Sequence, residues 1–360
     1  MNSNSVINLN AIVFDQAEKL LVRHSALKVF AFRYASGVAA LHIINSVGEI
    51  IFLPFHGQQI WDAKFYGRRL TMRSMFDDPV NTQDYLGNYG AFLVHCGATA
   101  MGNPGPGDKH ALHGELPNAL YQKAEIICGT DEEGAFIELA GSYRHTVAFT
   151  HNYLAEPKIR LGENDGRMQM KLKVTNLKAS PMDVMYLAHV NFKPVDGAKL
   201  IDTASDNPSK TYVRDKFPEF FKPTERHLSF INDLKQNPKR HRDIETGRPI
   251  DPELVMGLNF APDKDGWAHS MQILPDGSSD FISHRPQQLP KGVRWMTRTA
   301  DQDALGLYLP GTAQADGYTA EKAKGNVLSV AAGQYFECEL AFGALDAATT
   351  LKMKKQIEAI

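Results

Sequence analysis

Met168-Gln169-Met170-Lys171-Leu172-Lys173-Val174-Thr175-Asn176 alternates apolar and polar side chains with hardly a break. Successive side chains of an extended chain point to opposite faces, so this period of two makes a strand with one apolar face and one wet one. The same grammar spreads outward in both directions. Turn signals at Glu163-Asn164-Asp165-Gly166 and Asp131-Glu132-Glu133-Gly134 separate the strands expected at 124–128, 135–139, 143–149 and 155–161. Residues 182–192 continue the series, and 27–34, 39–55 with a turn at Val47-Gly48-Glu49, 57–67 and 92–96 precede it. After residue 254 the pattern resumes at 255–260, 269–274, 293–297, 304–309 and 335–342.

Strands at this spacing, without helical patterns between them, favour an antiparallel sandwich over a parallel α/β sheet. The expectation is an all-β chain, residues 1–360 as one domain, with a few short helices. Residues 202–251 mix charges, prolines and aromatics and read as long loops with a helical turn or two. The aromatic cluster 217–221 admits three readings: a lid, a homodimer contact, or a buried loop anchor. The tail offers Asp346 as an N-cap, with Met353, Ile357 and Ile360 at helical spacing.

Totals narrow the function classes. With 43% apolar residues, 22% charged residues and a net charge of −2, no global field favours nucleic acid or an acidic membrane. The basic run Lys235 to Arg242 (KQNPKRHR) reads as a solvated loop. Cys96, Cys128 and Cys338 lie far apart, without the paired spacing of a disulfide framework or a zinc ribbon. No apolar run nears the ~18 residues that span a bilayer, and MNSNSVINLN has no secretory pattern. A cytoplasmic location is the expectation.

Chemistry-bearing residues concentrate in Lys109-His110-Ala111-Leu112-His113-Gly114-Glu115-Leu116-Pro117-Asn118, after the glycine- and proline-rich stretch Met101 to Asp108. Titratable groups held by turn residues are where binding chemistry tends to sit. One reading of His110-x-x-His113-x-Glu115, joined by the distant His189, is a set of N/O ligands for Zn²⁺ or Mn²⁺.

Five stretches in order resemble the galactose mutarotase-like (aldose 1-epimerase) superfamily, in an uncharacterised branch. They are GQQIWDAKFYGRRL from Gly57, AFLVHCGATAMG from Ala91, LHGELPN from Leu112, VTNLKASPMDVMYLAHVNF from Val174 and GLYLPGTAQADG from Gly306. The resemblance implies a large antiparallel β-supersandwich with a sugar-sized cleft, no cofactor, and a small-molecule carbohydrate as partner. It implies His189 as the acid toward the ring oxygen and His113 as the group that orients and polarises the anomeric centre. The family's late glutamate base falls in Gly306-Leu307-Tyr308-Leu309-Pro310, where this chain has Tyr308 or Leu309. Glu115, or Glu339 on the final strand, then stands as the substitute base. Arg73, Asn118, Asn191 and Lys193 are the expected hydroxyl or anion partners, and Trp61, Trp267 and Trp295 are either sugar platforms or core. Three functions follow: an aldose 1-epimerase-type isomerase, a sugar-binding protein without the chemistry, or a metal-dependent sugar isomerase.

Overall fold

The computed structural model describes residues 4–207, 210–215, 217 and 221–360. Among these, two large antiparallel sheets, one of nine strands and one of thirteen, face each other. The alternation at 168–176 folds as read. In the Arg167–Asn176 strand Met168, Met170, Leu172 and Val174 are buried between the sheets while Arg167, Gln169, Lys171 and Lys173 are exposed. It lies between His151–Gly162 and Tyr335–Leu345, with Met170 opposite Ile159 on one side and Leu340 on the other. Each such side chain taken from water contributes about 1.5–3 kcal/mol.

The thirteen-stranded sheet is covered on both faces near its middle, and that double burial positions the site. In the Met182–Val190 strand, Val184, Tyr186, Ala188 and Val190 enter the core between the sheets. The alternate residues Met185 and Leu187 join a second apolar cluster on the outer face with Val94, Cys96, Trp295 and Leu309. Period-two geometry therefore sends His189 to that outer face.

Three sequence expectations differ from the fold. Residues 135–139 and 143–149 form one strand, Gly134–Val147, because Gly141 does not turn; it pairs with Ala124 and lets the Gln58 side chain lie against its backbone. The 202–251 region holds a full helix, Glu225–Gln236, capped by the Thr224 side chain, which accepts from the His227 amide. Its buried face is only His227, Ile231 and Leu234, too sparse a stripe to stand out among the charges. The strand expected from residue 255 begins earlier, as Ile250–Gly257.

Other expectations hold. Asp346 caps the Ala347–Glu358 helix by accepting from the Thr349 amide. The basic run is the exception: expected as a solvated loop, it closes the Glu225–Gln236 helix and continues as a 3-10 turn over Pro238–Arg242 with Pro238 and His241 buried, while Lys235, Arg240 and Arg242 pair with Asp215, Asp233 and Asp202. Cys96, Cys128 and Cys338 are free thiols, all buried. Within 217–221, Phe217 packs on the His227 ring at 5.6 Å; residues 218–220 lie outside the described residues. No helix among the described residues is long and apolar enough to cross a membrane.

Candidate functional site

A cleft of about 480 Å³ opens on the outer face of the thirteen-stranded sheet. Its floor comes from neighbouring strands read at one parity: His189, Trp295 from Lys291–Arg298, Leu309 from Asp303–Gly311, and Glu253 from Ile250–Gly257. Val255 lies opposite Trp295, so Glu253, two residues earlier, shares its face of the sheet. One wall is the helical turn Leu86–Asn88 with Tyr85 and Tyr89 at its ends, and the other major contribution is His113.

His113 is fixed by an unusual backbone. Its φ is +59° and that of Gly114 is +82°, so two consecutive residues are left-handed. Gly114 is required there: a Cβ would lie 2.3 Å from the Ala100 carbonyl oxygen and 2.5 Å from that of Gly97. The loop is stapled to the Leu93–Ala98 strand end by the Gly97 amide donating to the His113 carbonyl at 2.9 Å, and by the Glu115 and Leu116 amides donating to Gly97. A non-glycine residue held at positive φ stores strain that the surroundings must over-determine.

The result is an aromatic ring of hydrogen-bonding groups. The His113 and His189 ring centroids are 5.8 Å apart and nearly perpendicular. Tyr85 lies 4.8 Å from His113, and Trp295 and Tyr89 lie 5.3 and 5.7 Å from His189. Burial lowers the pKa of His189 to about 4, opposed by a hydrogen bond to Asn191. Burial, then the neighbouring charges of His189, Arg214 and His110, lowers His113 to about 3. Both are neutral at pH 7 in the ligand-free cleft. Each has an Nδ1 that is buried without a hydrogen-bond partner among the described residues. Burial also raises the Tyr85 and Tyr89 phenols, which stay protonated. Glu253 accepts from Trp295 Nε1 at 2.6 Å and pairs with Arg214.

Of the residues expected from sequence, His113 and His189 come together in this cleft. Glu115 does not join them; it lines a second cleft on the far side of the loop. Its carboxylate accepts from the Thr99 amide and hydroxyl at 3.1 and 2.9 Å and from Tyr153 at 2.7 Å. Asn191 stands behind His189, donating to the Ala91 carbonyl at 2.9 Å. Asn118 is buried deeper: its Oδ1 accepts from His56, Gln59 and Asn88, and its Nδ2 donates to the Asp84 carbonyl. It ties the tyrosine-bearing turn to the sheet. Arg73 braces the cleft rim by donating to the Ala300 and Thr299 carbonyls at 2.7 and 2.9 Å. Lys193 is exposed and does not line the cleft.

Tyr308 points into the core and donates to the Leu258 carbonyl, so Leu309 is the residue of that pair that faces the cleft. Glu339 pairs with Arg285 and Lys171 on the other sheet. Of the three tryptophans, Trp295 lines the cleft, Trp61 is buried in the apolar cluster beneath it, and Trp267 stacks under Arg285. The metal-ligand reading is overturned by geometry. His110 faces the second cleft and bonds the Ala111 carbonyl, away from His113. No group of three or more His, Cys, Asp or Glu side chains among the described residues is disposed to hold a metal. Sequence reasoning missed Glu253, Arg214, Tyr85 and Tyr89.

Comparison with known proteins agrees with this architecture. Residues 35–344 match the model of a domain of unknown function, DUF4432. A candidate aldose 1-epimerase from Klebsiella pneumoniae superposes with a TM-score of 0.82 at 17% identity, covering 100% of this chain and 96% of that one. A galactose mutarotase-like protein from Clostridium acetobutylicum gives 0.54 at 12% identity over 92% and 99%. Galactose 1-epimerase from Lactobacillus acidophilus gives 0.53 at 10% identity over 96% and 99%. No curated protein matches the sequence significantly. At these identities the likeness establishes the galactose mutarotase-like fold.

Proposed function

The chain belongs to the DUF4432 family, and on its mutarotase-like fold we propose an aldose 1-epimerase-type activity that interconverts the anomers of an aldose bound in the His113–His189 cleft. The observation that carries this reading is the meeting of two histidines, the half-buried floor carboxylate of Glu253 and an aromatic face in a single sugar-sized space, with Asp251 and Asp301 exposed at its rim. The continuous core between the two sheets supports reading residues 1–360 as one carbohydrate-active unit.

Anomer exchange breaks the bond between the anomeric carbon and the ring oxygen. The anomeric hydroxyl gives up a proton, the ring oxygen receives one, and the open-chain aldehyde recloses on its other face after rotation. His189 in its protonated form supplies the ring-oxygen proton and takes it back on reclosure. Glu253, rather than Glu115, receives the anomeric proton, because it is the carboxylate on the cleft floor beside Trp295. His113 orients the anomeric oxygen from the loop side. Trp295 offers its face to the apolar C–H side of the pyranose.

NMR exchange measurements on freshly dissolved aldoses test the proposal. The wild-type protein should accelerate exchange of at least one aldose in a broad panel, and a panel without acceleration defeats the isomerase reading. A second reading, sugar binding without turnover, draws on the engagement of Glu253 by both Arg214 and Trp295, which leaves both carboxylate oxygens already partnered. Calorimetric binding without accelerated exchange would select it.

A further inference from the structure

The second cleft, about 840 Å³, lies where the 109–118 loop meets the Gly134–Val147/His151–Gly162 hairpin and the turn after Asn176. Nothing in the anomer-exchange reading uses it. Its acceptors and donors are unequally satisfied. Each carboxylate on its lining is already engaged: Glu115 by Thr99 and Tyr153, Asp108 by Gly105 and Thr319, and Asp183 by Tyr318 and Lys322. The donors are the groups left over. Among the described residues neither the Lys109 nor the Lys178 ammonium makes an ion pair, and His151 Nδ1 is buried with no partner.

Two of these donors, Lys178 and His151, stand on fixed backbone, while Lys109 is exposed at the cleft edge. Asn176 pins the turn that presents Lys178, accepting from the Lys178 amide at 2.9 Å while its Nδ2 donates to the Ser180 and Val330 carbonyls. His151 opens the returning strand of the hairpin, its ring 6.1 Å from that of His145, which is itself fixed by the Tyr143 hydroxyl at 2.9 Å. Burial lowers the His151 pKa, with the charge of Glu115 opposing and those of His145 and Lys178 adding to it.

A cavity with spare donors and spent acceptors fits a ligand that brings acceptors. We propose that this second cleft binds the oxyanion group of a small molecule, held by Lys178, Lys109 and His151. A phosphate monoester and a carboxylate share that chemistry. Charge-assisted hydrogen bonds from lysine and histidine to such a group are stronger than those to a neutral hydroxyl.

Calorimetric titration of the full chain with glucose 6-phosphate, glucuronate and uncharged glucose tests the site. At least one charged probe should bind saturably, and glucose should not compete for it. Lys178→Met and His151→Gln should each weaken that binding at least about tenfold, the loss expected for one charge-assisted contact. His189→Asn, in the other cleft, should leave it within about twofold. Preference between the two charged probes distinguishes ester from carboxylate. The proposal is overturned if neither charged probe binds, if glucose displaces it, or if both substitutions leave the affinity unchanged. Retained thermal unfolding in Lys178→Met, on a surface turn, guards against misreading a folding defect.

Discussion

Two clefts share one loop, and they differ in almost every physical respect. The first is floored by aromatic and aliphatic side chains, with two neutral histidines and one ion-paired glutamate set into it. The second is lined largely by charged and hydroxyl groups, its acids already satisfied. What divides them is one peptide unit. His113 and Glu115 are two apart and would share a face on an extended chain. The left-handed backbone at His113 and Gly114 sends them to opposite sides instead. Sequence spacing thus assigns neighbours to a common site only where the backbone is regular.

Acid is the harshest test of that contrast. His95, His113, His189, His241 and His284 are buried, with pKa values lowered to about 3 or 4, chiefly by desolvation. The unfolded chain binds their protons near pH 6.5, so their contribution is fully present above that pH. It is lost as pH falls from 6.5 toward 4, at up to about 1.4 kcal/mol per pH unit for each group. Cooperative unfolding between pH 6 and 4, followed by circular dichroism, is expected; a flat stability over that range would break the argument.

Next comes chemistry. His189→Asn should slow anomer exchange by about 10²–10⁴-fold, and His151→Gln should not, which NMR exchange rates would check. The free-enzyme rate should also climb as pH drops from 8 to 6, by up to about tenfold per unit, because the acid form of His189 is scarce at neutrality. A rate that rises with pH would assign the acid role elsewhere. Gly114→Val strikes both clefts together: with backbone carbonyls inside 2.6 Å of any Cβ, a loss of about 2–4 kcal/mol is expected in denaturant unfolding. The smallest effect belongs to Arg73→Ala, which removes two exposed rim contacts and should cost under about 1 kcal/mol while raising KM modestly.

The strands were legible where alternation was strict, as at 168–176, and the terminal helix where Asp346 supplied a cap. His113 and His189 came from the resemblance of ordered motifs rather than from spacing. Glu253 stayed hidden for a local reason. It follows Pro252 at the start of a strand whose apolar run begins only at Leu254, so it read as loop. Only the register of Val255 against Trp295 reveals which way it faces. Tyr85 and Tyr89 were invisible because a three-residue helical turn, anchored through Asn118, orients them.

The three buried thiols have a use that packing alone does not suggest. Burial raises the pKa of each, so none offers a reactive thiolate in the native protein. Cys128 lies in the strand directly beneath the short Ser5–Asn8 edge strand, paired with Ser5, whereas Cys338 and Cys96 lie on central strands of the two sheets. Alkylation kinetics should therefore read two clocks from one unmodified chain: peeling of the edge strand at Cys128, and global opening at the other two.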